Sequence, residues 1–424
     1  MGRTGRPRLT MHVVRRAAQL SIVVASLVTG YRFMAGLSLT SIERYCPMGG
    51  LATSYSLASE GQFSCATGEM NFAMLLALVL LAVVARKAFC SWLCPVGTVS
   101  EILGMAGAWL SGRSRSSRGG AGCLSCYEPP RKVDRWLRLA RFVVLAVILG
   151  ATFRTAELVF RPFCPYYVMF SFHGHDVQVW SYYLLGIFIV GVVAIPLIWC
   201  RYLCPLGGAM WPFSRFGLLR VRRSEALCTN CRQCDRVCGH SIEVSTAGDV
   251  RSGECTMCLE CESACPASGA LTLAVPRSRR ALHWLVVPLV VLSAVAFGYA
   301  GGNLFALPSF ARDYSPLSEA TKPAEVRFVV RGVRCVDTAK LAASVFEGVP
   351  GVVSFVAYAS RGEVVVTYDA GRTDIGRLVK RLQGPVYMEA SGEFVFRVFH
   401  VLSVDGVEVA PSNKVSEQGN GGKQ

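Results

Sequence analysis

Residues 228–238 read CTNCRQCDRVC, and residues 255–266 read CTMCLECESACP. Cys228, Cys231, Cys234 and Cys238 are spaced C-x2-C-x2-C-x3-C; Cys255, Cys258, Cys261 and Cys265 repeat the spacing, and Pro266 follows. A [4Fe–4S] cluster is held by four thiolates, and in this double pattern the fourth cysteine of each motif serves the other motif's cluster. The spacing therefore assigns Cys228, Cys231, Cys234 and Cys265 to one cluster, and Cys255, Cys258, Cys261 and Cys238 to a second. Gly239 stands where the pattern usually carries proline, which removes no ligand. Zinc sites use four ligands in paired C-x2-C units, which fits an eight-cysteine repeat ending in C-P poorly. Disulfides would be reduced in a cytoplasmic setting.

This is the spacing of a bacterial two-cluster ferredoxin cassette. Outward from it, two further motifs resemble each other. FCSWLCPVG holds Cys90, Cys94 and Pro95, and WCRYLCPLG holds Cys200, Cys204 and Pro205; both read C-x3-C-P-[VL]-G. Cysteines at i and i+4 share a helix face, so the four thiols could converge on a further cluster or form redox dithiols, or could simply be small apolar residues at helix ends. Two single C-P steps, at Cys46 and Cys164, echo the pairs. Cys123 and Cys126 form a C-x2-C pair of unknown use.

The chain is 52% hydrophobic and 17% charged, against about a quarter charged in soluble domains, which points to a membrane protein and excludes disorder. Five apolar stretches, 17–37, 70–89, 136–160, 179–199 and 282–302, approach the roughly 20 residues a crossing needs. Pro288 is a kink candidate in the fifth, and Arg154 and Glu157 weaken the third. Lys and Arg alternate between the flanks: five before segment one, one in 38–69, ten in 86–141, two in 154–178 and eleven in 201–281. By the positive-inside rule the N-terminus and the cassette face the cytoplasm, while 38–69, 161–178 and everything after segment five face outward. Segment one reads as an uncleaved anchor. The net charge of +16 is thus mostly topological, and nucleic acid is not an expected partner.

Four segments with twin C-x3-C-P motifs, then the cassette, resemble the NapH/MauN-type membrane ferredoxins; the membrane halves of NosR-type and FixG-type proteins are similar. The resemblance covers about 15–275 and rests on Cys90, Cys94, Cys200, Cys204 and the eight cassette cysteines. It implies an integral electron carrier in a bacterial inner membrane, linking a quinol pool or cytoplasmic donor to an outward redox partner. The FixG type also implies a fifth helix, an outward C-terminal domain and an association with copper. No flavin-attachment motif is present.

Beyond a linker at 303–323, residues 324–404 alternate in the order β-α-β-β-α-β, with EFVFRVFHV as the last strand, which is a ferredoxin-like sandwich. This part resembles a heavy-metal-associated domain, with GVRCVDTA at the metal loop. Cys335 holds the first cysteine position but Thr338 the second, and a soft ion such as Cu(I) favours two thiolates. A structural or docking role is therefore preferred to metal transfer.

The expected fold is membrane α-helical, with about five transmembrane helices arranged as two tandem hairpins plus one, a two-cluster ferredoxin cassette and a C-terminal α+β sandwich. The expected divisions are a basic tail (1–16), a four-helix membrane domain (17–205), the ferredoxin domain (206–281), a fifth helix (282–302), the linker (303–323), the sandwich (324–404) and a polar tail (405–424). The expected function is membrane-bound iron–sulfur electron transfer, as a carrier or an oxidoreductase subunit, with redox proteins or quinone as partners. The alternative is an outer-face copper-type reductase or metal-handling protein binding a soft ion through Cys46, Cys65, Cys164, His173, His175, Asp176 or Cys335. A transporter using Arg154 and Glu157 would not need eight ferredoxin cysteines.

Overall fold

The computed structural model describes residues 6–35, 37, 42–60, 68–110, 129–155, 160–172, 177–195, 197–276, 278, 280–304, 308–316, 318, 321–333, 336–359, 361–384, 386–387, 394–395 and 399–408. Cys65, Cys123, Cys126, Glu157, His173, His175, Asp176 and Cys335 lie outside them. The chain divides into two compact units, Met1–Tyr55 with Glu69–Phe305, and Ser56–Gly68 with Ala306–Gln424.

The first unit is mostly helical: α1 (Arg6–Met34), α2 (Pro47–Glu60), α3 (Glu69–Ala85), α4 (Ala88–Trp92), α5 (Pro95–Leu110), α6 (Arg131–Thr155), α7 (Pro165–Phe170), α8 (Val179–Ala194) and α9 (Pro205–Arg215). The cassette follows, with β1 (Arg220–Arg223), α10 (Gln233–Arg236), α11 (Glu260–Ala264) and β2 (Leu271–Ala274), then α12 (Val286–Leu304). Within α1, α6 and α12, the stretches Met11–Met34, Lys132–Arg154 and Val286–Leu304 are long and apolar enough to cross a membrane; α3 and α8 are shorter apolar helices. The chain is thus a multi-pass membrane protein. Leu76, Leu80 and Val83 on α3, and Tyr183, Ile187 and Val190 on α8, are exposed; such apolar stripes suit contact with lipid.

The helix limits differ from expectation for identifiable reasons. α1 extends N-terminally through residues assigned to a free basic tail, because His12 and Arg15 meet Glu260 at 3.4 and 3.1 Å. The third segment, expected at 136–160, is helical from Arg131, directly after Pro129 and Pro130; proline favours a helix start and disfavours continuation into it. The second and fourth segments stop before 89 and 199. Arg86 turns with φ +56°, and Ile195, preceding Pro196, is extended (φ −128°, ψ 102°), as proline demands of its predecessor. Pro288 lies in the first turn of α12, where its missing N–H costs no bond, so no kink is required.

α3 and α12 pack closely through glycines: a Cβ on Gly302 would lie 2.7 Å from the Met70 sulfur, and one on Gly298 3.0 Å from the Ala77 Cβ. Small residues of this kind let membrane helices approach. Below α3 the cassette joins the same core, where Leu81 and Trp92 share an apolar cluster with Val221, Met257, Leu259, Leu271 and Val291. β1 and β2 pair antiparallel, Arg220 opposite Ala274.

The second unit contains β3 (Phe310–Asp313), β4 (Pro323–Arg331), α13 (Val336–Ser344), β5 (Val352–Tyr358), β6 (Glu363–Asp369), α14 (Ile375–Leu382), β7 (Val386–Tyr387), β8 (Phe394–Val395), β9 (His400–Val404) and β10 (Val407–Glu408). Its antiparallel sheet runs β10-β9-β4-β6-β5-β3, and the inner four strands have a ferredoxin-like order. Alternate residues Val326, Phe328 and Val330 of β4 are buried, with Phe346, Phe355, Leu378 and Phe399 in the same core. One expectation is corrected: the last sheet strand is His400–Val404 rather than 393–401. Phe394 and Val395 instead pair with Tyr387 and Val386 in a separate hairpin.

Candidate functional site

The eight cassette cysteines fall into two groups. Cys228, Cys231, Cys234 and Cys265 line one small cavity with Arg223. Cys231 is exposed and Cys234 buried. In the other group, Cys238, Cys255, Cys258 and Cys261 lie within electrostatic reach of one another, every pair included. Burial pushes all four of these thiols up, Cys258 to about 11. Cys228, by contrast, is held below the usual thiol value by the Asn230 N–H and Arg223.

The backbone suits an anionic occupant in both groups. Asn230 and Arg232 have φ +52° and +54°; their counterparts Met257 and Leu259 have +51° and +60°. Side chains rarely adopt this left-handed region, at a cost of about 1–3 kcal/mol each. Left-handed residues alternating with ordinary ones turn successive N–H groups into one concavity, a nest that favours anions including iron–sulfur centres. Among the described residues, no three His, Cys, Asp or Glu side chains are grouped closely enough to hold one metal ion. Four thiols per group beside such a nest are a donor set that suits a [4Fe–4S] cluster.

The second cysteine loop is bonded onto the membrane helices. The Lys87 N–H meets the Cys255 carbonyl at 3.4 Å. Ser91 Oγ donates to Thr256 O at 2.6 Å, Trp92 Nε1 to Met257 O at 3.1 Å, and Arg15 to Cys258 O at 3.4 Å. Arg86 donates to the carbonyls of Leu219, Ser214 and Ser252 at 2.9, 3.1 and 3.0 Å; those bonds hold its left-handed backbone in place.

A buried ionic hub reinforces the contact, and sequence reading missed it. Glu254 pairs with Lys87 at 3.2 Å and with Arg141 through two N–H groups, one at 2.8 Å. Burial alone would raise the Glu254 carboxyl, but the Arg141 hydrogen bond and the Lys87 charge outweigh it and hold the group at about 2. Burial lowers His240 to about 3, so it stays neutral. Asp134 accepts from Arg201 and Tyr202 at 2.6 Å each and pairs with Arg138 at 2.7 Å, while Arg138 donates to the His240 carbonyl at 2.8 Å. Glu101 joins Arg15 and Arg16 at 2.9 and 2.8 Å. The available signal was Arg138 and Arg141 inside a predicted apolar segment, since ionisable groups there need partners.

Outside the cassette, four C-P cysteines immediately precede a helix whose first residue is the proline: Cys46 and α2, Cys94 and α5, Cys164 and α7, Cys204 and α9. Proline is pre-organised for that first position. Cys90, Cys94, Cys200 and Cys204 lie within electrostatic reach of one another in every pairing, as the four thiols of the second cassette group do. The Gly207 N–H faces the Cys204 sulfur at 3.4 Å. Cys46 and Cys164 are near each other, and Cys164 is also near Cys204.

A family model described as a 4Fe-4S binding domain matches residues 67–116 and 178–224, the segments carrying the two C-x3-C-P motifs. The methylamine utilization ferredoxin-type protein MauN of Paracoccus denitrificans (strain Pd 1222) is 28% identical over 57% of this chain and 83% of its own. The ferredoxin-type protein NapH of Escherichia coli (strain K12) is 24% identical over 44% of this chain and 62% of its own. YccM of Escherichia coli (strain K12), whose name proposes electron transport, is 30% identical over 61% of this chain and 72% of its own. No solved structure matches the chain. With YccM matched over that share at that identity, the chain belongs to the family of bacterial membrane ferredoxin-type proteins that these relatives represent.

Proposed function

We propose that the protein is a membrane electron carrier that joins a cytoplasmic two-cluster cassette to a third cysteine site at the membrane edge. Cys228, Cys231, Cys234 and Cys265 would hold one [4Fe–4S] cluster, Cys238, Cys255, Cys258 and Cys261 a second, and Cys90, Cys94, Cys200 and Cys204 a further one. Bound clusters of this kind supply one-electron carriage. The observation that carries the reading is the contact between the Cys255 loop and α4, where Lys87 binds both the Cys255 carbonyl and Glu254 three residues before Cys90. That contact ties the loop carrying Cys255 to the turn that leads into Cys90, which supports electron passage between the two groups.

The first cassette group, with its exposed Cys231, is the entry or exit for a cytoplasmic redox partner. A quinone or an outward redox protein serves the other side. The division into a membrane domain, a ferredoxin domain at 206–281 and a C-terminal sandwich, with the cassette inside and the sandwich outside, belongs to this proposal. The outward copper-type reductase reading has only Cys46 and Cys164 among the described residues to draw on.

Low-temperature EPR of the full chain, reduced stepwise, tests the assignment. Cys258→Ser should remove one of the two interacting cassette signals, Cys231→Ser the other, and Cys200→Ser neither. Loss of both cassette signals in Cys200→Ser, with the protein still folded, would contradict it.

A further inference from the structure

Cys46 and Cys164 belong to neither cassette group nor to the four edge thiols, yet they sit together. One precedes α2 and the other α7, each followed by a proline, and both pack on the apolar cluster of Met48, Ile148 and Phe160. Each sulfur faces backbone N–H groups, those of Met48 and Gly49 for Cys46 and those of Tyr166 and Tyr167 for Cys164. Both are free and partly exposed. Cys164 is also within electrostatic reach of Cys204, a member of the edge group.

α3 measures where this pair lies. At one end Asn71 donates to the carbonyls of Glu43 and Cys46 at 2.7 and 2.8 Å. Just past the other end, Lys87 meets the Cys255 carbonyl. The helix between is about 25 Å long at 1.5 Å per residue, most of the roughly 30 Å hydrocarbon core. Thiols at Cys255, Cys90, Cys204, Cys164 and Cys46 therefore line the way from the cassette to the opposite end of the membrane unit.

We propose that Cys46 and Cys164 form a reversible dithiol–disulfide couple at that end, which turns single-electron traffic into thiol exchange with a disulfide-bearing protein partner. The inference rests on the electron-transfer reading above. In the reducing step the Cys46–Cys164 S–S bond breaks and two S–H bonds form. Cys90, Cys94, Cys200 and Cys204 would hold the iron–sulfur group that supplies the two electrons one at a time, drawn from the reduced cytoplasmic redox partner, and two protons come from solvent. In the delivering step one thiolate attacks the partner's disulfide, and the second displaces the resulting mixed disulfide. The pair is oxidised again, and the partner leaves as a dithiol.

The test is alkylation and peptide mass mapping of the full chain poised at a series of potentials, with iron and sulfide measured on the same samples. Cys46 and Cys164 should be blocked together, as one linked peptide pair, at oxidising potentials, and both should be alkylated at reducing ones. Cys46→Ala should free Cys164 at every potential while iron and sulfide stay at the wild-type level, which shows the variant is folded. Full alkylation of both thiols at all potentials would overturn the inference, as would a linked pair that never opens or a Cys164 block that survives Cys46→Ala. Absence of iron and sulfide from the unaltered chain would instead defeat the electron-transfer reading on which it stands.

Discussion

The carboxylate of Glu254 lies next to Cys255 and between the buried cations Lys87 and Arg141. Removing one member of such a group leaves the others charged in a poor solvent, at a cost of about 3–5 kcal/mol. Glu254→Gln should lower the denaturation midpoint of the detergent-solubilised chain accordingly, and adding Lys87→Met and Arg141→Met should recover much of the loss. Equal stability of Glu254→Gln and the parent would show that the hub holds nothing. His240 gives a pH dependence of known sign. In the fold it stays neutral down to about 3, while an unfolded histidine takes up its proton near 6.5. The unfolded state therefore binds more protons across that window, and stability falls as pH falls. Glu254 adds a second loss between about 4.5 and about 2, again because the unfolded chain is protonated first. Denaturation of the wild type at pH 7.5 and pH 5.5 should show lower stability at 5.5, with a smaller difference in His240→Asn. An unchanged difference would remove His240 as the source.

The twin C-x3-C-P-[VL]-G elements look equivalent in sequence but are packed differently. A Cβ on Gly97 would lie 2.4 Å from the Cys90 carbonyl oxygen, whereas one on Gly207 meets nothing closer than 3.5 Å. Gly97→Ala should cost about 1–3 kcal/mol, the usual range for overpacking, and Gly207→Ala should stay within about 0.5 kcal/mol. Melting curves of the two variants decide, and equal losses would contradict the account. The cause of the asymmetry is visible at the preceding turns, where Ala88–Trp92 is an α-helical turn and Trp199–Leu203 a wider π turn. Sequence spacing cannot reveal that difference, because C-x3-C is the same in both. The strands were legible where chemistry forces a pattern, because β4, β5 and β6 follow alternation of buried residues; the helices that open at Pro47, Pro95, Pro165 and Pro205 were not foreseen, although proline favours that first position. Legibility failed where a long-range partner decides the outcome. Residues 6–16 form part of a helix held by Glu101 and Glu260, far along the chain. Phe394 and Val395 pair with a short neighbouring strand rather than entering the sheet. The four edge thiols were readable as a group from duplication, but the Glu254 hub, built from residues 87, 141 and 254, left no local pattern.

At the scale of the whole chain, the uneven placement of Lys and Arg predicts an orientation. Reporter fusions at residues 270 and 420 should land on opposite sides of the membrane, with 270 cytoplasmic; signals on the same side would remove one crossing. In the proposed carrier, three groups of four cysteines hold iron–sulfur clusters. The most direct measurement is iron, acid-labile sulfide and zinc per chain in anaerobically purified full-length protein. Three cubanes should give about twelve each of iron and sulfide, falling to about eight when Cys90 and Cys200 are both replaced by serine. Stoichiometric zinc without sulfide would contradict the proposal.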